Sequence, residues 1–264
     1  MKIDVVAVCG LGKVGGPILK LFREKGLNAV GYDIDPARSE GTLQDVVASS
    51  NSCLFIVQTP SLKTGAFSNY YLETALREFK KECRRQEKKD YLYIVSSTTV
   101  PGSCDQFRAL VGDNICYKPE FIRLEFIHED LRAPTFELIG SANSHAGDAC
   151  ETLYRKITDA PIKRMSLIEA ELAKITLNCG LTTKISLANQ LHLVAKKVGA
   201  NADIIMEAVG SDPRIGNAYL KPGAPYGGPC LPRDNRMFRY FARTVGVSAW
   251  LSHAVDKVNE DVSR

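Results

Sequence analysis

The sequence predicts an α/β chain: a mostly parallel sheet covered by helices on both faces, followed by an all-helical region built on one long helix. Three observations carry this. Up to Met165, short apolar runs that do not alternate with polar residues recur between helical patterns, as strands buried on both faces do. Gly10-Leu11-Gly12-Lys13-Val14-Gly15 joins the first of these runs to the first helical pattern, where a parallel sheet holds a nucleotide. From Ser166 to Val198 the spacing is helical with Gly180 as its only evident breaker. At roughly 1.5 Å per residue that stretch spans a domain.

The elements follow in order. Ile3–Cys9 is a buried strand, and Val14–Lys25 is helical, with Val14, Ile18, Leu19, Leu21 and Phe22 on its apolar face. Asn28–Tyr32 and Cys53–Val57 are strands, Tyr70–Cys83 is helical, Tyr91–Ser96 is a strand, Asp105–Val111 is helical and Asn114–Tyr117 is a strand. Thr135–Ile139 and Pro161–Met165 are further strands around a helix at Ser144–Ile157. Ser166 followed by Glu169 reads as a capping box that starts the long helix. A helix at Ala202–Gly210, a Gly/Pro-rich loop over Ser211–Pro229, and helices at Leu231–Thr244 and Ser248–Val262 complete the chain. The boundary is placed at Met165/Ser166, with residues 1–165 as the nucleotide-binding domain and 166–264 as the helical one.

The composition excludes several classes. A net charge of +4, from 34 basic and 30 acidic residues, is too weak to argue for nucleic acid, though it suits an anionic ligand. The eight cysteines include no Cys-x-x-Cys pair, so neither a metal site nor a disulfide framework is expected. The cysteines point to a reducing, cytoplasmic setting. No apolar run reaches membrane-spanning length, and Met1–Gly12 reads as a first strand and turn.

In the glycine segment each glycine has a task. Gly10 makes the turn, Gly12 lets a pyrophosphate approach the backbone, and Gly15 lets helix and strand pack, with Lys13 and Val14 opening a helix whose N-terminus faces the phosphates. This makes the first domain Rossmann-like. Asp33, 18 positions beyond Gly15 at a strand end, can bond both ribose hydroxyls and repels a 2′-phosphate, favouring NAD. Arg38 could stack on adenine or hold a 2′-phosphate. Thr59 and Pro60, and Ser97 and Thr98, lie in hydroxyl-rich turns after strands, where they can meet cofactor or substrate or cap helices.

The second chemical centre is Tyr226-Gly227-Gly228-Pro229-Cys230-Leu231-Pro232-Arg233-Asp234. It sets one cysteine after a Gly-Gly turn, before a helix start and beside a cation. Such surroundings lower a thiol pKa by roughly one to several units and make it a nucleophile.

In this order the motifs resemble the UDP-glucose/GDP-mannose dehydrogenase family through nearly the whole chain. The glycine loop and Asp33 resemble its cofactor site, and Ser96–Ser103 its STxxPGT turn. Lys118–Arg123 resembles PEFLRE, and Ala170–Asn178 resembles AExxKxxxN. Asp212–Gly216 and Gly227–Asp234 resemble DxRIG and GGxCxxKD. The resemblance implies oxidation of a nucleotide sugar, UDP-glucose as first expectation, at its 6-hydroxymethyl group with two NAD, in a pathway of polysaccharide biosynthesis. Cys230 would be the nucleophile and pass through a thiohemiacetal and a thioester. Lys174 would face the developing oxyanion, with Asn178 one turn on. Asp234 would hold a water or proton relay, Glu120 would work on the hydrolytic water, and Thr98 would join the catalytic group. Arg233 replaces the family's lysine and keeps a charge near the cofactor. Phe121, Ile122, Arg123, Lys174, Asn178, Arg214, Lys221, Tyr226 and Gly227 would meet substrate. The long helix, through Ile168, Leu172, Ile175, Leu177, Leu181, Ile185, Leu187 and Leu191, would form a homodimer.

The residues taken singly keep simpler readings open: Glu171 and Lys174 as a solvated pair, Asn178 as a packing residue, Glu120 as a turn residue. Three departures stand out. The family's further C-terminal nucleotide-binding domain is not in this sequence, so a short form is expected. Leu124 stands where PEFLRE has its second glutamate, and Lys118 stands where the family more often has a small or amide residue. Two rival functions remain. One is a two-electron β-hydroxyacid-type dehydrogenase, which needs no cysteine. The other is a non-catalytic NAD- or sugar-nucleotide-binding module that needs a partner domain.

Overall fold

The computed structural model describes residues 1–263. In chain order the first elements are β1 (Val5–Cys9), α1 (Gly15–Glu24), β2 (Asn28–Tyr32), α2 (Leu43–Ser49), β3 (Ser52–Phe55), α3 (Tyr70–Arg85), β4 (Leu92–Val95), α4 (Ser103–Val111) and β5 (Ile115–Tyr117). There follow α5 (Ile127–Arg132), β6 (Glu137–Ser141), α6 (Ser144–Tyr154), β7 (Ile162–Ser166), α7 (Leu167–Val198), α8 (Ala202–Gly210), α9 (Leu231–Thr244) and α10 (Trp250–Val262).

By contacts the chain divides into Met1–Pro60 with Phe67–Lys174, and Ser61–Ala66 with Ile175–Arg264. This division falls inside α7, whereas the sequence reading puts the boundary at Met165/Ser166. The first turns of α7 belong with the sheet because Leu167, Ala170 and Ala173 pack into its core.

In the first unit, among the described residues, seven strands form one sheet in the order β2-β1-β3-β4-β5-β6-β7. Neighbours run parallel except β5 and β6, which pair antiparallel with Cys116 opposite Ser141. One core lies on each face. Ala7, Cys53, Phe55, Tyr93 and Tyr117 pack beneath α3 and α4, while Val6, Val8, Leu54, Ile94 and Cys116 meet α1 and α6. Burial on both faces is why the strands read as apolar runs without alternation. The order reverses between β1 and β3, which opens a crevice at the strand carboxyl ends.

Two helices, α2 and α5, go beyond the sequence reading. Both are short, so few apolar positions mark them. A capping box does announce α2: Asp45 N–H donates to Thr42 Oγ1 (3.2 Å), and Thr42 N–H donates to Asp45 Oδ2 (3.2 Å). Strand ends differ by a residue or two, as at β6, which begins at Glu137 instead of Thr135.

The start of α4 is capped from a distance. Its N-cap, Gly102, has no side chain to offer, and the carboxylate of Glu171 on α7 takes the role. It accepts from Gly102 N (2.7 Å), Cys104 N (2.9 Å) and Thr99 Oγ1 (3.0 Å). Glu171 is fully buried, so it is no solvated partner of Lys174. Glu171→Ala would leave those three donors without their acceptor. Each buried orphan costs about 1–3 kcal/mol, so urea denaturation should record a loss of at least about 3 kcal/mol.

The second unit is built on the rest of α7, with α8, α9 and α10. Ala188, Met206 and Leu220 form a small core with Leu191. The Gly/Pro-rich loop between α8 and α9 has no ladder for its backbone, and local turns and side chains satisfy it instead. Asn189 accepts from Gly223 N (2.8 Å) and donates to the Ala224 carbonyl (2.8 Å). Lys184 donates to the carbonyls of Ile215 and Gly216. Among the described residues no helix is long and apolar enough to cross a membrane, and no His/Cys/Asp/Glu group could hold a metal ion.

Candidate functional site

The first unit carries a crevice of about 460 Å³ at the β1–β3 switch. Gly10 and Gly12 after β1, Asp33 and Arg38 after β2, and Val57 and Gln58 after β3 line it. The glycines differ in the room they leave. A Cβ on Gly10 would lie 2.3 Å from the Ile56 carbonyl oxygen, and one on Gly15 would lie 1.9 Å from the Gly10 oxygen. Around Gly12 nothing stands within 4 Å, so backbone is open to a ligand there. Lys13 and Val14 stand just ahead of α1, which opens at Gly15. The Asp33 carboxylate accepts from Leu11 N (2.7 Å) and Asp35 N (2.9 Å), which fixes it at the rim. Arg38 pairs with Asp35 at 3.3 Å. The crevice thus combines an open backbone, a helix N-terminus and a fixed acidic residue, which suits a dinucleotide. Ile34, Tyr71 and Thr74 also line it and were not read from sequence. Ile34 follows Asp33 directly, whereas no motif marks Tyr71 and Thr74, because α3 reaches the crevice only through the fold.

The hydroxyl turns stitch neighbouring strand ends together and do not cap helices. Thr59 Oγ1 donates to the Thr98 carbonyl (2.7 Å), and Ser97 Oγ donates to the Val57 carbonyl (2.6 Å). Pro60 closes the first unit's segment beside Thr59.

Beyond β5, Glu120 sits in an ionic cluster. Lys118 Nζ donates to both its oxygens (2.7 and 2.8 Å) and pairs with Glu137 at 2.9 Å. Burial pushes the Glu120 carboxyl above the usual carboxylate range, against the pull of Lys118. Lys174 donates to the Glu120 carbonyl (2.7 Å), and its ammonium stands 4.9 Å from the Phe121 ring centre. Phe121 and Ile122 pack on opposite cores. Arg123 pairs with Asp130 (2.6 Å) and covers the Phe126 ring.

In the second unit Cys230 is exposed and stands at the N-cap of α9, with Pro232 in the first turn. The N-terminus of a helix favours a thiolate. Asp234, in the same turn, is 2% exposed and accepts from Asn178 Nδ2 on α7 (2.6 Å). Asn178 is therefore a hydrogen-bond partner of the acidic residue and more than a packing residue. Arg233 Nε lies 3.6 Å from Asp234. Cys179 is the contrast: burial, with Asp234 and Asp256, pushes its thiol up to about 12.

The loop ahead of Cys230 is anchored by α10. Tyr226 is buried and its hydroxyl donates to Asp256 Oδ1 (2.7 Å). Asn259 accepts from Tyr226 N (2.7 Å) and donates to its carbonyl (3.0 Å). Asp256 also accepts from Asn235 of α9 (2.8 Å), so one carboxylate holds both flanks of the thiol. Gly227 has open space around it. Arg214 pairs with Asp212 (2.6 Å) and is exposed, as is Lys221. Asp256, Asn259 and Asn189 escape a sequence reading, because each is an ordinary polar residue in a helical pattern until the loop it holds is placed beside it.

Comparison with known proteins agrees with this layout. The model of the UDP-glucose/GDP-mannose dehydrogenase family NAD binding domain matches residues 38–158, and that of the family's central domain matches 168–261. The GDP-mannose 6-dehydrogenase of Pseudomonas putida is 31% identical over 97% of this chain and 68% of its own length. The UDP-glucose 6-dehydrogenase of Haloferax volcanii is 26% identical over 97% of this chain and 69% of its own length. The structure of a UDP-glucose dehydrogenase from Pyrobaculum islandicum superposes with a TM-score of 0.90 at 29% identity, covering 98% of this chain and 68% of that one. The chain thus spans about two thirds of the length of these relatives.

Proposed function

Because this chain belongs to the UDP-glucose/GDP-mannose dehydrogenase family, we propose that it oxidises a nucleotide sugar at C6 from alcohol to carboxylate, with Cys230 as covalent nucleophile. NAD is the cofactor, and when bound it accepts a hydride in each of two oxidations. The observation that carries the reading is the exposed thiol at the N-cap of α9.

The chain's own residues divide the work. The first oxidation turns the C6 alcohol into an aldehyde. Cys230 Sγ adds to the aldehyde carbon, forming the C–S bond of a thiohemiacetal. Loss of a second hydride gives the thioester, and water cleaves the C–S bond to release carboxylate and thiol. Lys174 supplies positive charge for the developing oxyanion, where a fixed cation acts more strongly than it does in water. Asn178 holds Asp234 in place as a relay, and Glu120 accepts a hydrogen bond from the hydrolytic water. Gly10, Gly12, Gly15, Asp33 and Arg38 hold the cofactor, together with the turns of Thr59 and Ser97–Thr98 and with Arg233. Arg123, Arg214 and Lys221 offer cations to the substrate's phosphates. A homodimer through α7 is part of the same proposal, supported by the exposure of Leu187, Val194 and Val198, whereas Ile175 and Leu191, expected on that face, are taken up by the protein's own core.

The test is the NADH formed per sugar consumed with UDP-glucose, GDP-mannose and UDP-N-acetylmannosamine. Two per sugar with one of them is expected. One per substrate, unaffected by loss of Cys230, would mean a two-electron dehydrogenase. NAD binding without NADH from any sugar would mean a binding module.

A further inference from the structure

Lys118 is 1% exposed, and among the described residues it is the lysine enclosed most completely. Its ammonium meets both oxygens of Glu120 (2.7 and 2.8 Å) and Glu137 Oε2 (2.9 Å), and lies 4.3 Å from the centre of the Tyr154 ring. A buried ammonium is costly unless fully paired. Burial pulls Lys118 down, yet its two carboxylates outweigh this and hold it above the ordinary lysine value. The cluster thus holds one positive charge between two carboxylates.

The groups facing Glu120 are few: Lys118 from the end of β5, Glu137 from β6, Tyr154 from α6 and Lys174 from α7. Glu137 and the phenol of Tyr154 offer it no positive charge. Lys174 donates to its carbonyl, and its charge pulls the Glu120 carboxyl down less than that of Lys118. Only Lys118 touches both carboxylate oxygens.

We infer that Lys118 is the positioning residue for Glu120: by clamping both carboxylate oxygens against Glu137 it keeps Glu120 ionised and aimed, so that Glu120 meets the hydrolytic water as an acceptor. The inference rests on the reading of Glu120 given under the proposed function. An amide, the residue type that resemblance leads one to expect at 118, could orient the carboxylate but would leave Glu120 and Glu137 without the cation in contact with both, the Lys174 ammonium on the Glu120 carbonyl being the remaining positive charge nearby. The Glu120 carboxyl would then hold its proton to higher pH.

The experiment labels the protein with [13C]carboxyl glutamate and follows the Glu120 signal, assigned by loss in E120Q, against pH. An opposite charge in contact lowers a carboxyl pKa by about 1–3 units. The midpoint in K118N should therefore stand at least about one unit above that of the native protein, a tenfold change in proton affinity. E137Q should lower it. If K118N does not fold, K118N/E137Q carries the test, because it removes one charge of each sign. Glu120 must then titrate higher in the double variant than in E137Q alone. A midpoint that moves by less than about 0.3 unit when Lys118 is lost overturns the inference, since direct contact requires more.

The catalytic arm separates this from the proposed function. In K118N the first burst of NADH should persist, while thioester hydrolysis at pH 7 slows at least about tenfold and the acyl adduct on Cys230 accumulates by mass spectrometry. Hydrolysis as fast as in the native protein would overturn the role of Lys118. If the native protein forms neither NADH nor adduct, the proposed function fails, and the titration still decides whether Lys118 sets the ionisation of Glu120.

Discussion

Cys230→Ala should abolish the four-electron reaction while leaving NAD binding unchanged. Without Sγ there is no thiohemiacetal, so the second oxidation loses its substrate and the thioester never forms. Removing a covalent nucleophile costs about 10³-fold or more in turnover. The variant should therefore stop at the aldehyde or before it, with at most one NADH per sugar, and no adduct should appear by mass spectrometry. NAD affinity, measured by calorimetry, should match the native protein, because the crevice is lined by residues of the first unit. A variant that still makes two NADH per sugar would exclude the thiol from the reaction. Cys179→Ala is the matched control: its thiol is held up near 12, so it should cost turnover little.

Gly15→Ala should be nearly as damaging for a different reason. The added Cβ would lie 1.9 Å from the carbonyl oxygen of Gly10. That atom is backbone and no rotamer relieves the clash, so the loop and α1 must separate. Overpacking a well-packed site commonly costs about 1–3 kcal/mol, and a backbone clash belongs at or above the top of that range. NAD binding should be lost, because the turn and the helix N-terminus together form the phosphate site in the proposed function. Thermal unfolding with and without NAD reads both effects: Tm should fall, and NAD should no longer raise it. Gly12→Ala meets nothing within 4 Å in the protein itself. It should keep stability and lose NAD affinity alone, which separates the packing glycine from the ligand-facing one.

How much of this was legible beforehand depends on whether an interaction is local in the chain. Strand runs, the glycine turn and the breaker-free spacing of α7 are local, and the sheet and the long helix follow from them. The antiparallel pairing of β6 with β5 is not local: both strands are short apolar runs, and nothing in either states a direction. The same holds for the sites. Cys230 and the glycines announce themselves through their neighbours. Glu171 reads as one half of a helical ion pair until the fold brings residues 99–104 against it. Asn178 reads as packing until Asp234, far along the chain, meets it. Lys118 stood out only as a departure from the family's usual residue. Its partner Glu137 lies on the next strand of the sheet, a pairing no spacing rule predicts.

The loop that carries Cys230 is held by side chains, and those side chains sit on helices. Tyr226 has its backbone closed by Asn259 and its hydroxyl by Asp256. Both anchors belong to α10, the last helix described. The slowest amide exchange that this part of the loop can show is therefore capped by the opening of α10. Whatever docks or loosens α10 sets how long the residues ahead of the thiol keep one shape. The lifetime of the geometry around Cys230 is governed by α10, not by the loop's own glycines and prolines.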